Sequence, residues 1–390
     1  MLKLMKILAI ETSCDDTCIA VAQCQGSNFE LLSNIVSSQI EVHKEFGGVY
    51  PSLARREHQK NLTTVLEQAL KKAKLLKKEK SKSFRIQEIL SREEILSKLL
   101  DSFLKNYKKP DIDLIAVTKG PGLDPCLWTG VNFAKALSFA WNLPIIGINH
   151  IEAHILASFL EKTGSNNKLS IINQSKIFPA ISLIVSGGHT QIILMKKFGN
   201  YEIVGETRDD AAGEAFDKIA RILGLGYPGG PAIQKEAEKI CRNIEMSKYR
   251  VKLPRPMLYT KDYDFSFSGL KTAVLYDAKK RKKQTQSYIS AMAKEAQQAI
   301  IDILIKKTIK AAKDYKVKTI ILGGGVSANK ELQKQFKEKI KKENLDFEFQ
   351  IPKIKFCGDN AAMIAITAYL KKNLKPVKIN TLAAEPNIRL

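Results

Sequence analysis

The sequence lacks any pair of cysteines at the spacing of a metal or redox motif. Its six, Cys14, Cys18, Cys24, Cys126, Cys241 and Cys357, are scattered over 390 residues. No C-x-x-C occurs, and a chain of this length needs no disulfide staples. They read as reduced, mostly buried thiols. No apolar run approaches the roughly 20 residues that cross a bilayer, so a membrane partner is not expected. The first ten residues hold two lysines and one short apolar stretch before Glu11, which is not a signal-peptide pattern. A cytoplasmic location is expected. Aromatic residues are few, at 7%, but a hydrophobic fraction of 44% belongs to a folded protein. Acid is scarce relative to base, and the net charge of +23 suits a polyanionic partner.

The basic excess is concentrated. Residues 71–109 hold thirteen Lys and Arg against five Asp and Glu, and Lys279-Lys-Arg-Lys-Lys283 is an unbroken run. Either stretch alone also fits solvated helix faces. At this length two lobes are expected. Two similar units, about 175 residues apart, support a duplication: Ile7-Leu-Ala-Ile-Glu-Thr-Ser-Cys-Asp-Asp-Thr-Cys-Ile-Ala-Val-Ala and Ala180-Ile-Ser-Leu-Ile-Val-Ser-Gly-Gly-His-Thr-Gln-Ile-Ile-Leu-Met. Each reads as a β-hairpin whose Ser/Thr/Gly turn offers backbone N–H groups to an anion. Two facing copies would grip a nucleotide's phosphates.

Helical spacing runs from Pro51 to Leu76 through Leu53, His58, Leu62, Val65, Leu66, Ala69 and Leu70,. Residues 77–109 read as a basic helical insert with Ile86, Ile89, Leu90, Ile95, Leu99 and Phe103 as its stripe. Strands are expected at Ile112–Thr118, Ile145–Ile148, Thr319–Leu322 and Phe347–Ile351. Helices are expected at Val131–Trp141, Glu214–Leu223, Ser287–Lys313 and Asn360–Lys371. The order is mixed α/β with repeated strand–loop–helix crossings. We divide the chain into a lobe over 1–148, a metal-ligand helix and Asn/Ser-rich linker over 149–175, a lobe over 176–358, and a segment 359–390 packing back between the lobes.

His150 and His154 carry the clearest chemistry. The segment Asn149-His-Ile-Glu-Ala-His reads as a helix capped by Asn149, and a spacing of four puts both imidazoles on one face within reach of one metal ion. The zincin pattern is absent, because Glu152 follows His150 by two positions and points elsewhere. Peptidase chemistry is disfavoured. Asp359, before the last helix, is a candidate third ligand, although on sequence alone an N-cap role is the plainer reading. Two histidines and one carboxylate with open positions suit Fe(II), and zinc is the alternative. Gly323-Gly-Gly-Val-Ser-Ala-Asn329 joins a strand to a helix without a P-loop lysine and serves equally as a helix entry or a nucleotide contact. Asp217 fits either a ribose contact or a surface pair with Arg221. Asp15 and Asp16, at the first hairpin turn, fit either a catalytic base or ordinary turn chemistry.

Together, Glu11-Thr-Ser-Cys-Asp-Asp-Thr17, Gly120-Pro-Gly-Leu123, His150-x-x-x-His154, Val185-Ser-Gly-Gly-His-Thr-Gln191, Asp209-Asp-Ala-Ala-Gly-Glu-Ala-Phe-Asp-Lys218, Tyr227-Pro-Gly-Gly-Pro231, Asp264-Phe-Ser-Phe-Ser-Gly-Leu-Lys271, Gly324-Gly-Val-Ser-Ala-Asn329 and Asp359-Asn-Ala-Ala-Met363 resemble one family. It is the tRNA N6-adenosine threonylcarbamoyltransferases, once mislabelled glycoprotein endopeptidases. The resemblance runs in order from about Ile7 to Leu370. It implies an actin/hexokinase/Hsp70-like (ASKHA) α/β fold with duplicated βββαβα-type cores and an interlobe cleft. It implies metal ligation, usually of iron, by His150, His154 and Asp359. A substrate pocket would come from Ile184, Val185, Ser186, Gly187, Gly188, Asp217, Gly230 and Asn329. The implied donor is L-threonylcarbamoyladenylate and the acceptor is adenosine 37 of tRNAs reading codons that begin with A. The implied partners are an inactive paralogue and a P-loop ATPase, the bacterial arrangement we favour, or a small kinase with accessory subunits. An inactive scaffold and a sugar or acetate kinase of the same fold are the competing readings; neither calls for the histidine pair. The family's usual Asp-Glu is here Asp15-Asp16, one methylene shorter. The insert at 77–109 is also longer than usual and is a candidate tRNA or partner contact.

Overall fold

A computed structural model describes residues 3–81, 83–162, 168–173, 176–242, 251–281, 283–371 and 376–390. The chain divides into two compact units, one of Met1–Val42, Val49–Ile172 and Asp359–Leu390, the other of His43–Gly48 and Asn173–Gly358.

The first unit opens with β1 (Met5–Glu11), β2 (Asp16–Gln25) and β3 (Asn28–Ser38), followed by the single turn α1 (Ile40–His43). Then come α2 (Pro51–Lys72), α3 (Glu94–Asn106), β4 (Leu114–Gly120), α4 (Asp124–Trp141), β5 (Ile145–Asn149) and the short α5 (His150–Leu156). β6 (Leu160–Lys162) and β7 (Lys168–Ile171) complete a sheet of order β5-β4-β1-β2-β3-β7-β6. β1 is antiparallel to β2, with Glu11 opposite Cys18, and parallel to β4, with Ile7 opposite Leu114. Leu8 and Ile10 join Leu62, Val65 and Leu66 of α2 and Val131 and Leu137 of α4 in one core. Ile7 and Ala9, buried on the opposite face, explain why β1 reads as unbroken apolar sequence: a sheet covered on both sides needs no polar alternation,.

The second unit repeats the plan with β8 (Ala180–Val185), β9 (Thr190–Lys197), β10 (Asn200–Glu206), α6 (Ala212–Ile222), α7 (Gly229–Arg242), α8 (Ser268–Lys279), α9 (Gln286–Asp314), β11 (Thr319–Gly323), α10 (Lys330–Lys342) and β12 (Glu348–Gln350). Its sheet order is β10-β9-β8-β11-β12. Ile181, Leu183 and Val185 meet Phe216 and Ile219 of α6 and Ile300 and Leu304 of α9. The chain then returns to the first unit as α11 (Ala361–Leu370), buried from Ala361 to Tyr369 and packed on β1, β2 and α5. A helix this apolar on all sides needs cover all round.

Two expectations are corrected. The insert is helical only over Glu94–Asn106. Residues 77–81 instead run alongside the end of α3, through Glu79 N–H to Asn106 O at 3.0 Å and Ser81 N–H to Lys105 O at 2.9 Å. The Ser81 hydroxyl donates to the Leu104 carbonyl at 2.6 Å, and the Ser83 hydroxyl to Asp101 at 2.9 Å. Serine hydroxyls that bond another element, one to its backbone and one to a side chain, compete with a helix of their own. The buried face of α3 is Leu96, Leu100, Phe103 and Leu104, while Ile95 and Leu99 are exposed. In the stretch expected as a linker, β7 pairs with β3, Phe29 opposite Leu169; residues 163–167, 174 and 175 lie outside the described residues, as does Lys282 of the basic run.

Candidate functional site

In the first unit, β5 delivers the chain into α5, and the Asn149 side chain caps that helix by accepting from Ile151 N at 2.9 Å and Glu152 N at 3.1 Å. His150 and His154 therefore leave one face one turn apart. Their Nε2 atoms are 3.1 Å apart. Asp359 Oδ1 lies 3.1 Å from His154 Nε2 and 3.7 Å from His150 Nε2. The cap of α11 is Asn360, whose side chain accepts from Met363 N at 3.1 Å, and the Asp359 carboxylate turns to the histidines. Three electron-rich atoms at such separations repel one another unless a proton or cation lies among them. Donor atoms bound about 2.0–2.2 Å from one metal ion stand roughly 3–3.6 Å apart. The triangle fits a metal.

Glu11, unassigned in the sequence reading, ends β1 fully buried. Its Oε2 lies 3.1 Å from His150 Nδ1 and accepts from the Thr118 hydroxyl at 2.5 Å, while its Oε1 accepts from Ser13 N at 2.5 Å. A carboxylate on Nδ1 holds a proton on that nitrogen and leaves Nε2 as the ligand atom once its own proton is displaced. The available signal was one acid closing the apolar run Ile7–Ile10. Burial opposes charge on His150, but Glu11 and Asp359 outweigh it and push the imidazole up to about 9. Burial and the His150 charge push His154 down. Burial raises the Glu11 carboxyl, yet its interactions with His150 leave it below the usual value. Glu152 points elsewhere, its Oε2 2.5 Å from Lys371 Nζ, so it does not face the cluster as a peptidase's glutamate would.

Asp15 ends the β1–β2 turn and Asp16 opens β2. Burial, then the charges of Asp359 and Asp15, push Asp16 up to about 7. Its Oδ1 is buried without a hydrogen-bond partner among the described residues. Such a carboxyl is poised to exchange a proton near neutrality.

The residues expected to hold substrate all lie in the second unit. β8 and β11 run parallel, Ile184 opposite Gly323, and both end at these loops, the usual ligand side of a parallel sheet. Gly324 has φ 84°, and a Cβ there would stand 2.4 Å from Val185 O, so only glycine lets this loop lie on the end of β8. Gly213 N–H donates to Ser186 O at 3.2 Å, bringing α6 to the same place. The Ser186 N–H is taken by His189 O at 2.8 Å. Of the N–H groups expected to meet an anion, that of Ser186 is therefore engaged within the turn; at Gly187 and Gly188 a Cβ would meet nothing within 4 Å, and the same holds at Gly230. Asp217 accepts from Gly229 N at 2.6 Å and so holds the start of α7, and Arg221 donates to Gly47 O. The Asn329 side chain caps α10 through Leu332 N at 3.0 Å and donates to Gln297 at 2.9 Å. Its amide is a structural anchor as it stands.

Two mixed α/β units with these sheets give the chain an actin/hexokinase-like (ASKHA) fold. Among solved structures it is similar to full-length HypF in a phosphate- and nucleotide-bound form, with a TM-score of 0.51, 13% identity, and 96% of this chain matched to 47% of that one. HypF of T. kodakarensis gives a TM-score of 0.50 at 11% identity, over 95% of this chain and 48% of that one. This chain spans about half of either HypF chain, and at such identities the likeness concerns fold alone.

The family model described as tRNA N6-adenosine threonylcarbamoyltransferase matches residues 30–81 and 88–366. The protein of that name from Thermosipho africanus is 43% identical over 388 residues, 99% of this chain and 100% of the relative. The one from Bacillus subtilis is 42% identical over 362 residues, 93% and 89% of the two chains. The chain belongs to the tRNA N6-adenosine threonylcarbamoyltransferase family. The break in the match, at residues 82–87, falls inside the basic insert. No helix among the described residues is long and apolar enough to cross a membrane.

Proposed function

We propose that this protein is a metal-dependent acyltransferase of the cytoplasm that moves the threonylcarbamoyl group of L-threonylcarbamoyladenylate to the N6 amine of adenosine 37 in tRNAs reading ANN codons, releasing AMP. The observation that carries the reading, beside family membership, is the convergence of His150, His154 and Asp359, atoms 3.1–3.7 Å apart. These three would hold one divalent ion, Fe(II) in preference to zinc, since two imidazoles and a carboxylate with positions left open are the iron pattern. When bound, the ion would act as a Lewis acid on the donor.

The chain's own residues do the rest. Glu11 orients His150. Gly187, Gly188 and Gly230, with the loop that leads to Asn329, leave backbone open for the adenylate, and Asp217 fixes the start of α7 beside them. An exocyclic adenine amine is a weak nucleophile, and the mixed anhydride supplies a good leaving group. Asp16, assisted by Asp15, takes the proton the amine loses as the N–C bond forms and the C–O bond to AMP breaks. The net positive charge draws tRNA, and the partners are an inactive paralogue and a P-loop ATPase. The test is mass spectrometry of tRNA nucleosides after incubation with the adenylate. Threonylcarbamoyladenosine is expected with the native chain and not with His150→Ala. Equal product from both would overturn the metal-centred reading.

A further inference from the structure

His58, on α2, is fully buried, and its ring bridges the β1–β2 turn, at Cys14, and the start of β2, at Thr17. Thr17 Oγ1 lies 2.7 Å from Nδ1, and the Cys14 carbonyl oxygen lies 2.9 Å from Nε2. A carbonyl oxygen only accepts, so Nε2 carries the proton, and in the neutral ring Nδ1 accepts from the Thr17 hydroxyl. Gln39 completes the arrangement. Its backbone N–H donates to Asp15 O at 3.0 Å, and its amide donates to the Ala54 carbonyl at 3.3 Å. Asp15 and Asp16 sit between the two clamped residues. The chain on either side of the clamp reaches the histidine cluster: Ser13 Oγ lies 3.2 Å from His150 Nδ1, and Cys18 Sγ donates to Asp359 O at 3.6 Å. Any shift of the turn moves both carboxylates relative to the histidines.

We propose that His58 is a positioning residue for the transfer reaction, holding Cys14 and Thr17 at once and so fixing the two turn carboxylates against His150, His154 and Asp359. The inference rests on the transferase reading above. A ring that only filled space could be replaced by an apolar side chain. One that acts through hydrogen bonds at both ring nitrogens needs a substitute with a donor and an acceptor at similar separation, which glutamine has and leucine lacks. Displacing a reacting group by about 1 Å costs on the order of a hundredfold in rate.

The experiment compares His58→Leu, His58→Gln and Thr17→Val in the full-length, metal-loaded chain. For His58→Leu, kcat should fall about tenfold to a hundredfold, with KM for tRNA and donor within about twofold and metal content per chain unchanged. Gln should recover most of the loss. Thr17→Val should reproduce part of it and add little to His58→Leu, as partners in one interaction do. An unchanged kcat for His58→Leu per metal-loaded chain, or a loss that Gln does not recover, overturns the proposal. Hydrogen exchange on the same proteins separates this from the reaction itself. If the native chain transfers nothing, the functional reading has failed. In that event, faster exchange at residues 13–17 of His58→Leu with α5 still protected supports the clamp, and unchanged exchange there refutes it.

Discussion

The two units share one sheet plan and diverge in what they place at the strand ends. In each, the first strand lies central, antiparallel to the second and parallel to the fourth, giving β3-β2-β1-β4-β5 and β10-β9-β8-β11-β12. In each, a glycine after the fourth strand lies on the end of the first. A Cβ on Gly122 would stand 2.6 Å from Ser13 O, and one on Gly324 2.4 Å from Val185 O. The chemistry then separates. The first unit fills its strand ends with Glu11, Asp16, His150 and His154, mostly buried. The second leaves Gly187, Gly188 and Gly230 bare. One sheet plan thus carries a buried cluster of charged and imidazole groups in one unit and bare glycine backbone in the other.

The sharpest way to break this comparison is to remove one ligand. His154→Ala should lower metal affinity by more than about a hundredfold, since even residues that merely support ligands cost 10–100-fold. Metal analysis after dialysis should then find the ion retained by the native chain and lost from the variant. The second unit's exchange protection should not change. If the variant keeps its metal, the first unit does not own the site.

A smaller effect tests the shared frame. Gly122→Ala and Gly324→Ala should each cost about 2–3 kcal/mol in thermal unfolding, because both combine a positive φ with a backbone collision,. Gly187→Ala, with open space around it, should stay within about 0.5 kcal/mol. If Gly324→Ala is as mild as Gly187→Ala, the parallel between the units is only topological.

What the sequence could disclose follows from which interactions are local. The hairpins were legible because turn chemistry and apolar runs sit in adjacent residues, and the histidine pair because four residues make one helical turn. Asp359 was legible as a candidate ligand, but family resemblance was needed to prefer that over a cap: its partner His154 is 205 positions away, and the neighbouring Asn360 is the cap. Glu11 and His58 stayed hidden inside regular patterns, one closing an apolar strand and the other on the buried stripe of α2. The loop to Asn329 read equally as a helix entry or a nucleotide contact, and the Asn329 amide caps α10. The insert misled because its periodicity holds in pieces, while the serines that divide it bond to α3.

The mildest difference between the units is in pH. In the metal-free chain His150 keeps its proton up to about 9, so below that pH a metal ion must displace one proton to bind. Apparent affinity should therefore rise roughly tenfold per pH unit and level off near 9. His154, whose pKa is pushed down, adds no further proton near neutrality. The stability sign follows. A histidine raised above its unfolded value of 6.5 stabilises the metal-free fold fully below 6.5, and the contribution is lost as pH climbs through about 9,. Asp16, raised to about 7 from 3.8, acts in the same direction at lower pH: its folded form binds the extra proton between those values, so stability declines across them,. Exchange protection of the metal-free first unit should thus fall between pH 6.5 and 9, while that of the second unit holds level. Glu11→Gln removes the charge that raises His150 most, so the affinity plateau should begin at lower pH. A plateau that stays near 9 in that variant would show that Glu11 does not set the histidine's charge.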